Sequence, residues 1–241
     1  MKDGIRSRFD DSPIAYDRYE SRTGRFGALT ERLVAEMQSR ETRQPTMVLD
    51  AGAGTGVSSR ILEGYGERLV SLDLSREMLH HNEGHHRVQA DFDRLPFDRE
   101  TFDAVAFTAS LFLTPDPERA VREARRVCRP GGTVGAVAPL GWTTPDGEDV
   151  FAALERDSRS PTGAAEIETA LRSAFSVETG RISFDTTGDA LREFHTIPAM
   201  SARLYPRLDH ATRIERVRVL LADVDGPLEQ HWRWMVGVED R

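Results

Sequence analysis

Lysine is all but missing: Lys2 is the only one in 241 residues, and every other cationic side chain is arginine. We read this as a bias of the coding genome, compatible with a GC-rich or salt-adapted host, not as chemistry. Cysteine is nearly as scarce. Cys128 stands alone, so no disulfide can form within the chain, and a cytoplasmic address is the default. No run of about 18 apolar residues occurs, which excludes a membrane-spanning helix. The charged opening "MKDGIRSRFDDSP" has no apolar signal core, so no secretion signal is expected. Positive charge is in deficit, with a net charge of −8, which opposes a nucleic-acid partner. The nearest approach to a basic patch, "RLYPRLDHATRIERVR" at 203–218, reads as a solvated helix face.

What is present is alternation. Short apolar runs at 46–52, 68–75, 86–91, 102–110 and 131–140 read as buried strands. Helical periodicity separates them, at 28–40, 57–65, 75–83 and 116–128. Buried strands spaced by helices predict a parallel sheet with helices on both faces. Beyond 141 the pattern changes. Residues 147–158 and 163–174 look helical, 175–187 looks like a strand, and 188–224 reads as helix broken at Pro198 and Pro206. A final strand is expected at 231–239. The 188–224 stretch is too short for a sizeable core of its own, so it is expected to lie over the sheet.

The stretch "MVLDAGAGTG" at 47–56 raises the functional question. Its glycines, Gly52, Gly54 and Gly56, follow a buried run and let backbone approach a ligand beyond a strand end. Their spacing is G-x-G-x-G, not the dinucleotide G-x-G-x-x-G, and no phosphate-loop lysine follows. Acids mark the neighbouring strand ends: Asp50 beside the glycines, Asp73 in "LVSLDLS" and Asp91 in "VQADF". A strand-end carboxylate can accept from a ribose diol or an adenine amino group, and Asp50 suits an ammonium. Three such acids fit a cationic nucleoside better than a pyrophosphate.

Together "VLDAGAGTG", "LVSLDLSREML", "QADFDRLPFDRETFDAV" and "EARRVCRPGGTV" resemble the class I S-adenosylmethionine-dependent methyltransferases, over roughly residues 45–140. The resemblance implies an α/β, Rossmann-like, doubly wound sheet. It would be mostly parallel and seven-stranded, with an antiparallel C-terminal strand and helical excursions covering the acceptor site. One domain, 1–241, is expected: an N-terminal helical lid (1–44), a cofactor-binding core (45–140) and acceptor-side helices with the last strands (141–241). S-adenosyl-L-methionine is the implied cofactor. Asp50, Ala51, Gly52 and Gly54 would hold its methionine end. Asp73 would take the ribose, Leu74 and Met78 the adenine faces, Asp91 the adenine amino group, and the Phe92 backbone a ring nitrogen. Thr108 and Ala109 would border the methionine and the acceptor.

The aromatics of 9–26, namely Phe9, Tyr16, Tyr19 and Phe26, suit a gate whose rings face a sulfonium; Tyr16 and Tyr19 are the candidates for contact. The fourth strand ends "FTASLFL", without the Asn/Asp-Pro-Pro-aromatic motif of nucleic-acid amino methylation, and Cys128 lacks the setting of cytosine carbon methylation. A small-molecule acceptor remains, contacted from 9–26, 108–113, 139–145 and 188–224. His195 is the candidate base and Trp142 a candidate pocket wall. The histidines of "HHNEGHH" read as a polar helix end around Gly84, and no metal is expected. Other readings stay open: an RNA or protein acceptor, or a non-catalytic cofactor-binding module. A nicotinamide-dependent oxidoreductase is disfavoured by the glycine spacing and Asp91.

Overall fold

The structure is a computed structural model that describes residues 2–152 and 162–239. Three helices open the chain: α1 (Lys2–Asp10), α2 (Pro13–Thr23) and α3 (Arg25–Gln38). The alternating core follows as β1 (Met47–Ala51), α4 (Val57–Leu62), β2 (Arg68–Asp73), α5 (Arg76–His81), β3 (Arg87–Gln89), β4 (Phe102–Thr108), α6 (Pro117–Val127) and β5 (Cys128–Thr143). The last third is α7 (Ala164–Arg172), β6 (Ser176–Thr187), α8 (Gly188–Thr196), α9 (Pro198–Leu204), α10 (His210–Leu220) and β7 (Pro227–Val238).

The strands form one seven-stranded sheet in the order β3-β2-β1-β4-β5-β7-β6. β1 pairs in parallel with both β2 and β4, and β7 runs antiparallel between β5 and β6. Strand order reverses between β1 and β4, which opens a crevice beyond their carboxyl ends.

Local chemistry explains the covering helices. α3 turns Leu29, Leu33, Val34 and Met37 inward, the stripe its periodicity predicted. α6 starts where the Asp116 carboxylate accepts from Arg119 N at 3.0 Å, with Pro117 in the first turn. It buries Ala120, Val121, Ala124 and Val127. The Arg126 guanidinium donates to Leu95 O at 2.9 Å, Phe97 O at 2.7 Å and Glu123 at 2.8 Å, tying down the loop after β3.

Two clusters form the interior. One lies against the sheet. The second gathers Tyr19, Trp142, Phe151, Leu191, Phe194 and Met200, joining α2 to α8 and α9 over the end of β5. The 188–224 stretch therefore packs on the N-terminal helices, and its breaks fall at Ile197 and after Leu204, beside the two prolines.

Some boundaries depart from expectation. β5 continues past Leu140 to Thr143, with a register shift between Pro139 and Gly141, because β7 pairs with it from Thr133 to Thr143. β7 begins at Pro227 because β6 pairs with it there, through Thr187. The helix expected at 147–158 is not found over its described part, which forms a turn through Glu148 and Ala152; the rest lies outside the described residues.

Candidate active site

The glycine turn folds back over the end of β2. Gly52 N and Ala53 N both donate to Leu72 O, at 2.7 and 2.9 Å. Gly54 N donates to Asp73 Oδ2 at 2.9 Å. Gly52 and Gly54 have φ of +86° and +53°, a region that costs an L side chain energy. Their surroundings differ. A β-carbon on Gly52 would sit 2.4 Å from Ser110 Cβ, whereas nothing lies within 4 Å of one on Gly54. Gly52 is thus a packing requirement, and Gly54 faces open space.

That space is a cleft holding about 930 Å³ between atoms, its open mouth included. Its floor is Gly52, Ala53, Gly54, Thr55, Val57 and Ser58. One wall carries Asp73, Leu74, Met78, Asp91 and Phe92, and the other Thr108, Ala109, Ser110, Leu113 and Thr114. The roof is Ile5, Phe9, Tyr16, Glu20 and Phe26. Tyr16 stacks on Phe9, with centroids 6.1 Å apart, and leans on Phe26 at 5.6 Å.

Asp73 accepts from Gly54 N and, at 2.8 Å, from Ser75 N; burial pushes its carboxyl up to about 6. Ser75 caps α5 through Met78 N and donates to Asp10 Oδ1 at 2.6 Å, fastening α1 to this corner. Asp91 turns its Oδ1 to Asp93 N at 2.9 Å. Thr108 Oγ1 is buried without a hydrogen-bond partner. Ala109, next along, adopts φ +54°, a strained geometry for alanine that bends the backbone at the cleft wall.

Several expected residues are elsewhere. Asp50 is fully buried and does not line the cleft. Its Oδ2 accepts from Ser58 Oγ at 2.7 Å and Ser59 Oγ at 2.8 Å on α4. Its Oδ1 has no partner, and burial raises its carboxyl to about 6. Ala51 also lies beneath the turn, its carbonyl accepting from Ser110 Oγ at 2.6 Å. His195, the candidate base, is not at the cleft. Its Nδ1 lies 2.9 Å from Leu191 O, and its ring packs with Trp142, Phe151 and Phe194. The aromatic face of α8 carries it into the second cluster, and Trp142 goes with it. Tyr19 is buried against Phe26 and Phe194, so of the two tyrosines only Tyr16 lines the cleft. Residues 139–145 and 188–224 supply none of the described lining. Among the described residues no group of three His, Cys, Asp or Glu side chains is placed to hold a metal.

The sequence reading included Glu20, Asp10 and Ser110 only within the ranges 9–26 and 108–113 and gave none of them a role. The available signal for Glu20 was Gly24, whose φ of +57° ends α2 and begins α3. That turn brings Glu20 back onto the first amides of α3.

Residues 49–135 match the family described as a methyltransferase domain. The chain is a class I S-adenosylmethionine-dependent methyltransferase. Among curated relatives of this methyltransferase is a malonyl-[acyl-carrier protein] O-methyltransferase of Pseudescherichia vulneris. It is 28% identical over 199 residues, covering 78% of this chain and 77% of the relative. A protein of the same name from Pectobacterium atrosepticum is 32% identical over 137 residues, covering 55% and 52%. The YcgJ protein of Bacillus subtilis has the same fold, with a TM-score of 0.61 at 17% identity, covering 87% of this chain and 98% of that one. So does a Haemonchus contortus phosphoethanolamine N-methyltransferase, in complex with phosphomonomethylethanolamine and S-adenosylhomocysteine. Its TM-score is 0.59 at 15% identity, covering 98% and 60%.

The cleft residues fit the cofactor on their own chemistry. Carboxylates at two strand ends accept hydrogen bonds, Leu74, Met78 and Phe92 offer apolar faces, and the space over Gly54 has no side chain in it.

Proposed function

We propose that the enzyme methylates an oxygen of a small, largely apolar acid, with no general base. The observation that carries this reading is the wall around Thr108. Among the described residues lining the cleft there is no histidine or lysine, and its three carboxylates, Glu20, Asp73 and Asp91, are the groups that would face the cofactor's own donors and so are not left for the acceptor. An acceptor that needed early deprotonation would need a base within hydrogen-bond reach. A carboxylate arrives ionised and needs none. The relatives named as O-methyltransferases support oxygen as the receiving atom.

The protein's share of the work is binding, orientation and exclusion of water. Asp73 would accept from the ribose hydroxyls and Asp91 from the adenine amino group, with Leu74, Met78 and Phe92 against the ring. Tyr16 would close over the centre, and Thr108 would face it with its unpaired hydroxyl. When bound, the cofactor would supply an electrophilic methyl that an ionised acceptor oxygen can displace from sulfur, the C–S electron pair leaving with the thioether and no proton needing to move. A closed aromatic roof favours this step, because neutralising opposite charges is easier where water is excluded; alignment contributes several kcal/mol more. The net charge of −8 disfavours an RNA acceptor, and the lone buried Cys128 suits a cytoplasmic setting.

Incubation with methyl-labelled cofactor and a panel of small carboxylic acids tests the reading. Labelled product that releases methanol in mild alkali is expected, as a methyl ester does. Label that survives alkali, or that travels with RNA, contradicts it.

A further inference from the structure

The cleft has three carboxylates in its lining, Glu20, Asp73 and Asp91, and no cationic side chain among the described lining residues. They follow one another around the glycine turn, Asp91 and Asp73 in one wall and Glu20 in the roof. Asp91 follows β3, and Ala90 N donates to Asp73 O at 3.0 Å, so the first two are neighbours. Asp73 holds Gly54 N. The turn then enters α4 at Val57, and beyond Val57 is Glu20. A β-carbon built on Gly27 would lie 3.1 Å from Glu20 Oε1 and 4.0 Å from Val57 Cγ1, which places that oxygen beside the first turn of α4. The cofactor carries three groups able to donate to a carboxylate: an adenine amino group, a ribose diol and an amino-acid ammonium. They too come in linear order.

We infer that Glu20, not Asp50, is the carboxylate that faces the ammonium of the cofactor. The inference rests on the assignment of the cleft to S-adenosylmethionine. Asp50 is fully buried, away from the lining, and engaged with Ser58 and Ser59. Glu20 lines the roof and is fixed in place: its Oε2 accepts from Phe26 N at 2.7 Å and its Oε1 from Gly27 N at 2.9 Å. Each carboxylate oxygen has a second lone pair. The helix amides thus hold the group in position with acceptor capacity in reserve. A hydrogen bond between ionised partners is stronger than a neutral one, so the pair would select for an intact amino-acid end. It would also couple cofactor uptake to seating of α2 on α3, since Glu20 and Tyr16 share α2.

Calorimetric titration separates this role from a capping role alone. The probes are S-adenosylhomocysteine, its desamino analogue, and 5′-methylthioadenosine, which has no amino-acid end. Glu20→Gln keeps one oxygen to accept from an α3 amide and loses the other acceptor, which is why 5′-methylthioadenosine serves as the control for any loss of α2–α3 seating. The substitution is expected to weaken S-adenosylhomocysteine binding by about ten-fold or more and to leave 5′-methylthioadenosine within about two-fold. Wild-type protein should lose about as much on passing to the desamino analogue, a comparison that needs no variant. The variant should bind the analogue and S-adenosylhomocysteine alike. Equal loss for all three ligands, or no loss, overturns the inference, as does a selective loss in Asp50→Asn instead. Wild-type protein that binds none of the three overturns the cofactor assignment beneath it.

Discussion

Replacing Gly52 and Gly54 by alanine, one at a time, separates what the glycine turn does for folding from what it does for ligand. Both positions have positive φ, so each alanine costs about 1–2 kcal/mol of backbone strain. At Gly54 the added methyl meets nothing within 4 Å, so strain is the whole penalty. In a domain of this size each kcal/mol lowers Tm by about 2–4 °C. At Gly52 the methyl would lie 2.4 Å from Ser110 Cβ. Ser110 cannot retreat without giving up its 2.6 Å bond to the Ala51 carbonyl. Overpacking adds about 1–3 kcal/mol, for a total of about 2–5 kcal/mol. Thermal unfolding with and without S-adenosylhomocysteine is the assay. Gly54→Ala should fold, lose a few degrees, and give little ligand-induced shift, because its methyl occupies the space the ligand needs. Gly52→Ala should be clearly less stable than Gly54→Ala without ligand. Equal stability of the two variants, or a wild-type ligand shift in Gly54→Ala, would refute the reasoning.

Other outcomes follow from buried groups. Burial raises Asp50 to about 6 in the folded protein, so between its ordinary range and 6 the folded state holds a proton that the unfolded chain has lost. That contribution to stability falls as pH rises. Asp50→Asn, which does not titrate, should gain on wild type between pH 4 and 7, by about 3 kcal/mol at most; parallel urea-unfolding profiles at the two pH values would count against this. Asp73 is likewise raised to about 6. A protonated carboxyl is a poorer acceptor for a diol, so affinity for S-adenosylhomocysteine should fall as pH drops through 6, read by calorimetry. Burial pushes the Cys128 thiol up to about 12, so a thiol reagent at pH 8 should label only unfolded protein. Arg126→Met removes the bonds to Leu95 O and Phe97 O, and should cost about 2 kcal/mol, seen as a lower Tm.

The core of this architecture was legible because its strands are apolar runs ended by acids and glycines. Asp73 and Asp91 were readable as cleft-lining residues because each follows a strand at the edge where a parallel sheet binds ligands, although β3, expected to be buried, is an edge strand with Arg87 and Gln89 exposed. Asp50 satisfies the same rule but points beneath the turn, towards Ser58 and Ser59. A one-dimensional pattern does not say which face of β1 a helix will cover. His195 and Trp142 misled because an aromatic cluster and a ligand wall have the same composition; only packing separates them. β5 was read short because Pro139 and Gly141 resemble a stop. The bulge between them is tolerated because β7 supplies partners on the far side. Glu20 was not singled out within 9–26 because its role depends on the left-handed turn at Gly24, which folds one helix end onto the next.

Calorimetric titration of wild-type protein with S-adenosylhomocysteine, and separately with NAD, tests the central claim most directly. One S-adenosylhomocysteine per chain, no uptake of NAD, and a large loss of affinity in Asp73→Ala are predicted. Uptake of NAD in place of S-adenosylhomocysteine, or unchanged affinity in Asp73→Ala, would contradict the account.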